Sequence, residues 1–177
     1  MSGSARSLEN NNIARVMIKQ HAVTQLGVPV LAHPEWLRAG RPDDCLIDGF
    51  PYTGIYGKTD AKSDLVLIHP TGRRARIIVK WQGTSGSTDE KFPYVMENAF
   101  VVPENDVVIL AGGTGAKPAA VRWLVDEAAA RSVRTLGRRD VQVMRSVDEV
   151  SAWLRSIRDE WLDARAALPP TEDGRLL

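Results

Sequence analysis

An aspartate and a lysine flank a short turn in a way that could support phosphoryl chemistry. Asp64 opens the apolar stretch "DLVLI" (64–68), and Lys80 closes the apolar part of "ARIIVKW" (75–81). The turn "HPTGRR" separates the two stretches, which predicts a β-hairpin. Because the start of one hairpin strand lies beside the end of the other, we expect a carboxylate and an ammonium to converge at one edge of the sheet.

This pair suits the hydrolysis of a phosphodiester. A carboxylate can hold Mg²⁺, which neutralises the phosphate and activates water, while a lysine orients that water or stabilises developing charge. Mg²⁺ commonly takes only one or two protein carboxylates, so few acids are required. Taken singly, Asp64 is typical of a strand-start turn residue and Lys80 of a solvated strand end.

The residues around this pair resemble a known family. The segment "SDLVLIHPTGRRARIIVKWQGTSGSTDEKFPYVMENA" is similar to the core of the PD-(D/E)XK, restriction-endonuclease-like nucleases. In that family an Asp heads one strand and an acid-x-Lys ends the next. Asp64 corresponds to the first acid, Lys80 to the lysine, and Trp81 with Gln82 to the pair that follows it in some branches. The resemblance covers roughly residues 9–100.

The chain departs from the family pattern at one position. The acid two residues before the lysine is replaced by Ile78. Some family members carry this acid on the following helix, where Glu90 is the candidate and Glu97 would share its face if the helix is continuous. Asp60 could contribute instead, or the site could have lost its activity. Glu9 is a weak match to the family's helix-borne acid.

The resemblance implies a metal-dependent DNA endonuclease of restriction, repair, recombination or phage type. Asp64 and Glu90 would bind Mg²⁺ or Mn²⁺, Lys80 would act on the water, and Gln82 would support the site or contact a phosphate. The small domain suggests a homodimer acting on a duplex. Ile78 favours the alternative, an inactive nuclease-fold protein that binds nucleic acid or serves as an assembly subunit.

A second glycine-rich segment, "LAGGTGAKP" (110–118), lies between a strand and a helix. A phosphate-binding P-loop needs Gly-Lys followed by Ser or Thr, which is absent here, so we predict a tight turn rather than a nucleotide site. Lys117 could still contact a DNA phosphate. Further candidate nucleic-acid contacts are Lys91 on the helix after Lys80 and Arg73 and Arg74 in the hairpin turn.

Bulk properties fit one soluble domain. The chain has 177 residues, of which 44% are apolar and 25% charged, and its net charge is +1. This small charge argues against binding nucleic acid by charge alone. A single cysteine and the lack of a signal-like or membrane-spanning segment predict a cytoplasmic protein without membrane attachment.

Periodicity predicts one α/β domain with a mixed sheet flanked by helices. The predicted division is a flexible arm (1–11), the domain (12–168) and a flexible tail (169–177). The first helix is predicted from Asn12, with a core-facing stripe. One continuous helix is predicted to end the domain. The predicted stripe of the first helix consists of Ile13, Val16, Met17 and His21. The tryptophans predicted to lie in the core are Trp123, Trp153 and Trp161.

Overall fold

The computed structural model describes residues 3–57, 65–82, 89–135 and 138–169. Its strands are β1 (Val30–Ala32), β2 (Cys45–Asp48), β3 (Leu65–Ile68), β4 (Arg74–Trp81), β5 (Asp106–Gly112) and β6 (Asp140–Met144). Its helices are α1 (Gly3–Leu26), α2 (His33–Arg38), α3 (Phe92–Ala99), α4 (Pro118–Arg134), α5 (Val147–Ser156) and α6 (Arg158–Ala166), with a 3₁₀ turn at Asp89–Lys91.

The six strands form one mixed sheet in chain order, from β1 to β6. β2, β3 and β4 are antiparallel neighbours, whereas β4, β5 and β6 run parallel to one another. Leu65 pairs with Ile77 and Ile68 with Arg74, which confirms the predicted hairpin. The predicted α/β class with a mixed sheet is therefore confirmed, and the carboxyl ends of β4, β5 and β6 share one edge.

Helices cover both faces of the sheet, as the near-continuous apolar sequences of β3 and β5 require. On one face α1, α5 and α6 enclose a core that includes Leu67, Ile77 and Leu110. On the other face α3 and α4 enclose a second core that includes Ile78 and Ile109. Side chains alternate between faces along a strand, so Lys80 falls on the same face as Ile78.

The first helix differs from its prediction in start and in orientation. It begins at Gly3, not at Asn12, so most of the predicted arm is helical backbone. Its buried residues are Ala14, Ile18, Ala22 and Leu26, whereas the predicted stripe of Ile13, Val16 and Met17 is exposed. Small alanines let the helix backbone approach the sheet and α5 closely, which the count of bulky apolar residues did not reveal.

Asp48, at the end of β2, holds α1 onto the sheet. Its carboxylate accepts hydrogen bonds from Arg15 and Lys19, the latter at 2.8 Å. Burial alone raises the pKa of Asp48, but the hydrogen bond from Lys19 and the charge of Arg15 outweigh it and lower the pKa below its ordinary value. The ion pairs fix the position of the helix that crosses in front of β4.

Two further regions depart from the sequence prediction. The loop-rich segment after residue 33 contains the short helix α2, whose Trp36 packs against Cys45 and Ile47. The last helix is broken at Ile157 into α5 and α6. Trp123 is 41% exposed rather than in the core.

Within the described ranges, no helix is both long and apolar enough to cross a bilayer.

Candidate nuclease site

Lys80 and Gln82 lie at the carboxyl-terminal edge of the parallel strands. Lys80 is the Cα partner of Ala111 on β5, and the backbone N–H of Gln82 donates to the carbonyl of Gly112 at 2.8 Å. Open α/β sheets commonly bind ligands at this edge, because the loops that leave the strands gather there. The sequence therefore brings a lysine and a glutamine to an edge suited to ligand binding.

Among the described residues, no group compensates the positive charge of Lys80. Its side chain is partly buried on the face covered by α3, and in the described residues its ammonium has no hydrogen-bond or ion-pair partner. A lysine that only protected a strand edge would be fully solvated. This half-buried position leaves the ammonium available for an anionic substrate.

Gln82 is the most buried polar residue at this edge, with 2% of its surface exposed. Its backbone carbonyl accepts a hydrogen bond from the N–H of Gly115 at 3.0 Å. Its side-chain oxygen Oε1 is buried and has no hydrogen-bond partner among the described residues. A buried amide oxygen without a donor is costly, and this marks Gln82 as a candidate ligand or phosphate-site residue.

The segment after β5 forms a tight turn, as the sequence predicts. Gly113 has a φ of +100°, and a Cβ added there would overlap the backbone of Gln82. The N–H of Ala116 closes the turn on the carbonyl of Gly113 at 3.2 Å. Only glycine combines this dihedral angle with this approach, so the turn fixes Gln82. Lys117 follows it directly and precedes α4.

Ile78 is a core residue. It is 1% exposed, pairs with Ile109 on β5 and packs in the cluster that contains Phe92 and Met96. The side chain at the position of the missing acid is therefore surrounded by apolar groups. Position 78 on β4 therefore offers no carboxylate to a metal ion.

Glu90 and Lys91 lie on the 3₁₀ turn that precedes α3, and both are exposed. The helix starts at Phe92, with Pro93 in its first turn and no side-chain cap. Glu90 thus stands beside the helix entrance rather than within a regular helix.

Glu90 and Glu97 do not lie on one continuous α-helix, since Glu90 is on the 3₁₀ turn and Glu97 is on α3. The carboxylate of Glu97 accepts a hydrogen bond from Arg131 on α4 at 2.7 Å, and this bond lowers the pKa of Glu97. The predicted pairing of the two glutamates required a continuous helix, which the 3₁₀ turn interrupts. Asp64 and Asp60 lie outside the described residues, as does the side chain of Glu9.

Arg73 and Arg74 lie at the opposite end of β4 from Lys80. Six residue steps of about 3.3 Å separate Arg74 from Lys80, a span of roughly 20 Å. Arg73 pairs with Glu160 at 3.3 Å, and Arg74 stacks on Trp36 at 5.7 Å. The structure brings Lys80, Gln82 and Lys117 to one edge and leaves these two arginines at the other.

Two arginines that we did not predict lie at the same edge as Lys80. Arg145 directly follows β6, and Arg122 lies in the second turn of α4. Both line a cavity of about 270 Å³ together with Gly112 and Gly113. The position of Arg145 right after the apolar strand "VQVM" was the available signal, but its neighbours across the sheet could not be read from the sequence.

The described residues supply few ligands for the metal that the resemblance implies. No group of three or more His, Cys, Asp or Glu side chains that could hold a metal occurs among the described residues. The unpartnered Oε1 of Gln82 is nevertheless an oxygen of the type that hard cations accept. The edge therefore fits a Mg²⁺ ion if one or two carboxylates complete its ligands.

Comparison with known proteins adds an independent finding. A family model described as "PD-(D/E)XK nuclease superfamily domain" matches residues 7–157. This range extends beyond the segment recognised from motifs and includes β5, α4 and β6. No curated protein and no solved structure matches the chain.

Proposed function

Because the chain belongs to the PD-(D/E)XK nuclease superfamily, we propose that it is a metal-dependent nuclease that hydrolyses DNA phosphodiester bonds with Mg²⁺ or Mn²⁺. The observation that carries the proposal is that the half-buried ammonium of Lys80 and the buried Oε1 of Gln82 lie at one edge and have no partner among the described residues. Neither arrangement has a structural purpose that the described residues reveal.

Each residue has a proposed role. Asp64 and Glu90 supply the carboxylates that would hold the ion, and Gln82 contributes its amide oxygen. When bound, the ion neutralises phosphate charge and makes water a better nucleophile. Lys80 orients the attacking water and stabilises negative charge that develops on the phosphate oxygens.

Glu90 is the proposed replacement for the acid missing at Ile78. It is exposed on the 3₁₀ turn, so its carboxylate can reach an ion without displacing core packing. A glutamate introduced at Ile78 would instead sit beside Ile109 and Phe92. The relocated acid thus avoids the desolvation that position 78 would impose in this chain.

The alternative function is nucleic-acid binding without cleavage. Its supporting observation is the complete burial of Ile78 in an apolar cluster. A protein of this kind would keep Lys80 as a phosphate contact and need no ion. The homodimer expected from the small size of the domain has no support in the structure of the single chain.

The test uses supercoiled plasmid, circular single-stranded DNA and RNA, each with Mg²⁺, Mn²⁺ or chelator. We expect metal-dependent cutting of DNA that falls about 10²–10³-fold in Lys80→Ala, the loss typical of removing one charge-stabilising group. Asp64→Ala and Glu90→Ala should lose cutting as well. Arg134→Ala, an exposed arginine at the far end of α4, is the control that retains it.

Three outcomes separate the candidates. Equal cutting by wild type and Lys80→Ala would contradict the proposed role of the lysine. Binding of DNA without cutting under any condition would favour the alternative function. Loss of cutting in Glu90→Ala that Ile78→Glu restores in the double variant would identify Glu90 as the relocated acid.

A further inference from the structure

The cavity at the carboxyl ends of β5 and β6 is not explained by the proposed chemistry. It holds about 270 Å³, and the residues that line it include Gly112, Gly113, Arg122 and Arg145. A Cβ added to Gly112 would overlap the backbone carbonyl of Arg145. Glycine at this position therefore lets β5 approach Arg145 closely and brings the arginine to the cavity.

The two arginine side chains that line this cavity, Arg122 and Arg145, are exposed. In the described part of the chain, neither Arg122 nor Arg145 forms an ion pair or a side-chain hydrogen bond. Glu149 accepts a hydrogen bond from the backbone N–H of Arg145 at 2.8 Å rather than from its guanidinium group. Two unpaired guanidinium groups beside one cavity favour an anion.

The sheet register relates this cavity to Lys80. Lys80 pairs with Ala111 on β5, and Leu110 pairs with Met144 on β6. Arg145, the residue after Met144, therefore stands in the same row as Lys80, two strands away. Strands in a sheet are about 4.8 Å apart, so the two backbones are separated by roughly 10 Å.

We propose that Arg122 and Arg145 bind a phosphate of the nucleic-acid backbone that is not the one cleaved. This inference rests on the proposed function, since it takes the substrate phosphate to be at Lys80. Phosphates of one duplex strand advance about 3.4 Å per nucleotide along the helix axis while also turning around it, so two positions whose backbones are roughly 10 Å apart can contact phosphates of nearby nucleotides on one strand. Arginine suits this role because its planar fork can contact two phosphate oxygens at once.

The experiment measures the affinity for a fluorescent 20-base-pair duplex in chelator, where no cutting interferes, over a range of salt concentrations. We expect the double variant Arg122→Ala/Arg145→Ala to bind about tenfold more weakly at low salt. The slope of log K against log salt should become shallower by about 0.9, the value for one phosphate contact. Arg145→Lys should retain part of the affinity, and Arg134→Ala on the same helix should match the wild type.

The outcomes distinguish this inference from the nuclease proposal. An unchanged slope in the double variant, with cutting still dependent on Lys80, overturns the phosphate site and leaves the nuclease. A shallower slope with no cutting by wild type supports the phosphate site and contradicts the nuclease.

Two results address the substrate itself. No binding of the duplex by the wild type overturns the phosphate site, and the cutting assay with Mg²⁺ or Mn²⁺ decides the nuclease proposal separately. A rise in melting temperature with inorganic phosphate that the double variant abolishes, without any change in duplex affinity, would assign the cavity to free phosphate and overturn the nucleic-acid contact. Unfolding curves of all variants confirm that each is folded.

Discussion

The two edges of the parallel part of the sheet use arginine in opposite ways. At the amino-terminal edge, arginines bind other parts of the protein. Arg76 is fully buried and pairs with Glu104. Arg139 donates hydrogen bonds to the backbone carbonyls of Val102 and Glu104. At the carboxyl-terminal edge, Arg122 and Arg145 have no such partners among the described residues. The comparison teaches that a basic cluster in the sequence does not identify a binding surface.

The most conspicuous basic segments of the sequence supply arginines that make structural contacts, not arginines of the carboxyl-terminal edge. "GRRAR" (72–76) supplies the buried Arg76 and the stacked Arg74, and "RSVRTLGRR" (131–139) supplies Arg131 and Arg139. At the edge proposed to bind nucleic acid, the basic residues come one at a time from separate parts of the sequence. A net charge of only +1 is therefore compatible with a local surface that attracts phosphate.

The largest expected effect concerns the buried pair at the amino-terminal edge. Glu104→Gln leaves the guanidinium of Arg76 buried without its counterion, because both side chains are at most 1% exposed. We expect a loss of about 3–5 kcal/mol in the free energy of unfolding. Urea denaturation measures it. Glu97→Gln, which removes the half-exposed partner of Arg131, should cost less than about 1 kcal/mol and is the matched control.

The second prediction tests the turn that fixes the carboxyl-terminal edge. Gly113→Ala should lose about 1–3 kcal/mol of stability from its dihedral angle and also weaken duplex binding, because the new Cβ displaces Gln82. The control is Gly40→Ala, whose φ of +82° is similar but whose Cβ would meet nothing within 4 Å. Equal stability loss and unchanged binding in both variants would show that the contact with Gln82 is unimportant.

The third prediction concerns the link between α1 and the sheet. Asp48→Asn should destabilise the protein at neutral pH by about 1–3 kcal/mol, because Arg15 and Lys19 lose a partly buried, charged acceptor. The folded-state pKa of Asp48 is lowered, so its contribution is present above the unfolded value near 4 and disappears as pH falls through the folded value. Unfolding curves of both proteins should converge toward acid pH, and a constant difference would refute the ionic explanation.

The smallest expected effect is on stability at the carboxyl-terminal edge. Arg122→Ala and Arg145→Ala should each change the free energy of unfolding by less than about 0.5 kcal/mol, since both side chains are exposed and unpaired. Thermal and urea denaturation provide the measurement. A loss comparable to that of Glu104→Gln would mean that these arginines are structural, and the contrast between the two edges would disappear.

The sequence by itself determined the family, the α/β class and the hairpin that carries Lys80. These features depend on local order: apolar strands separated by a turn, and polar residues at fixed distances from the lysine. It also determined the tight turn after β5, because Gly113 permits the positive φ that the turn needs and Pro118 suits the first position of the next helix. The position of Lys80 on β4 follows from the same local pattern.

Only the tertiary structure decided which polar groups stabilise the fold and which remain available to bind a ligand. Ala14 and Ala22 face the core in place of the bulkier Ile13 and Met17, because small side chains let α1 approach the sheet closely. Arg76 and Arg145 are both arginines next to apolar strand residues, yet one is buried against Glu104 and the other faces a cavity. Such pairings depend on strand register between distant segments, which side-chain types along one segment do not encode.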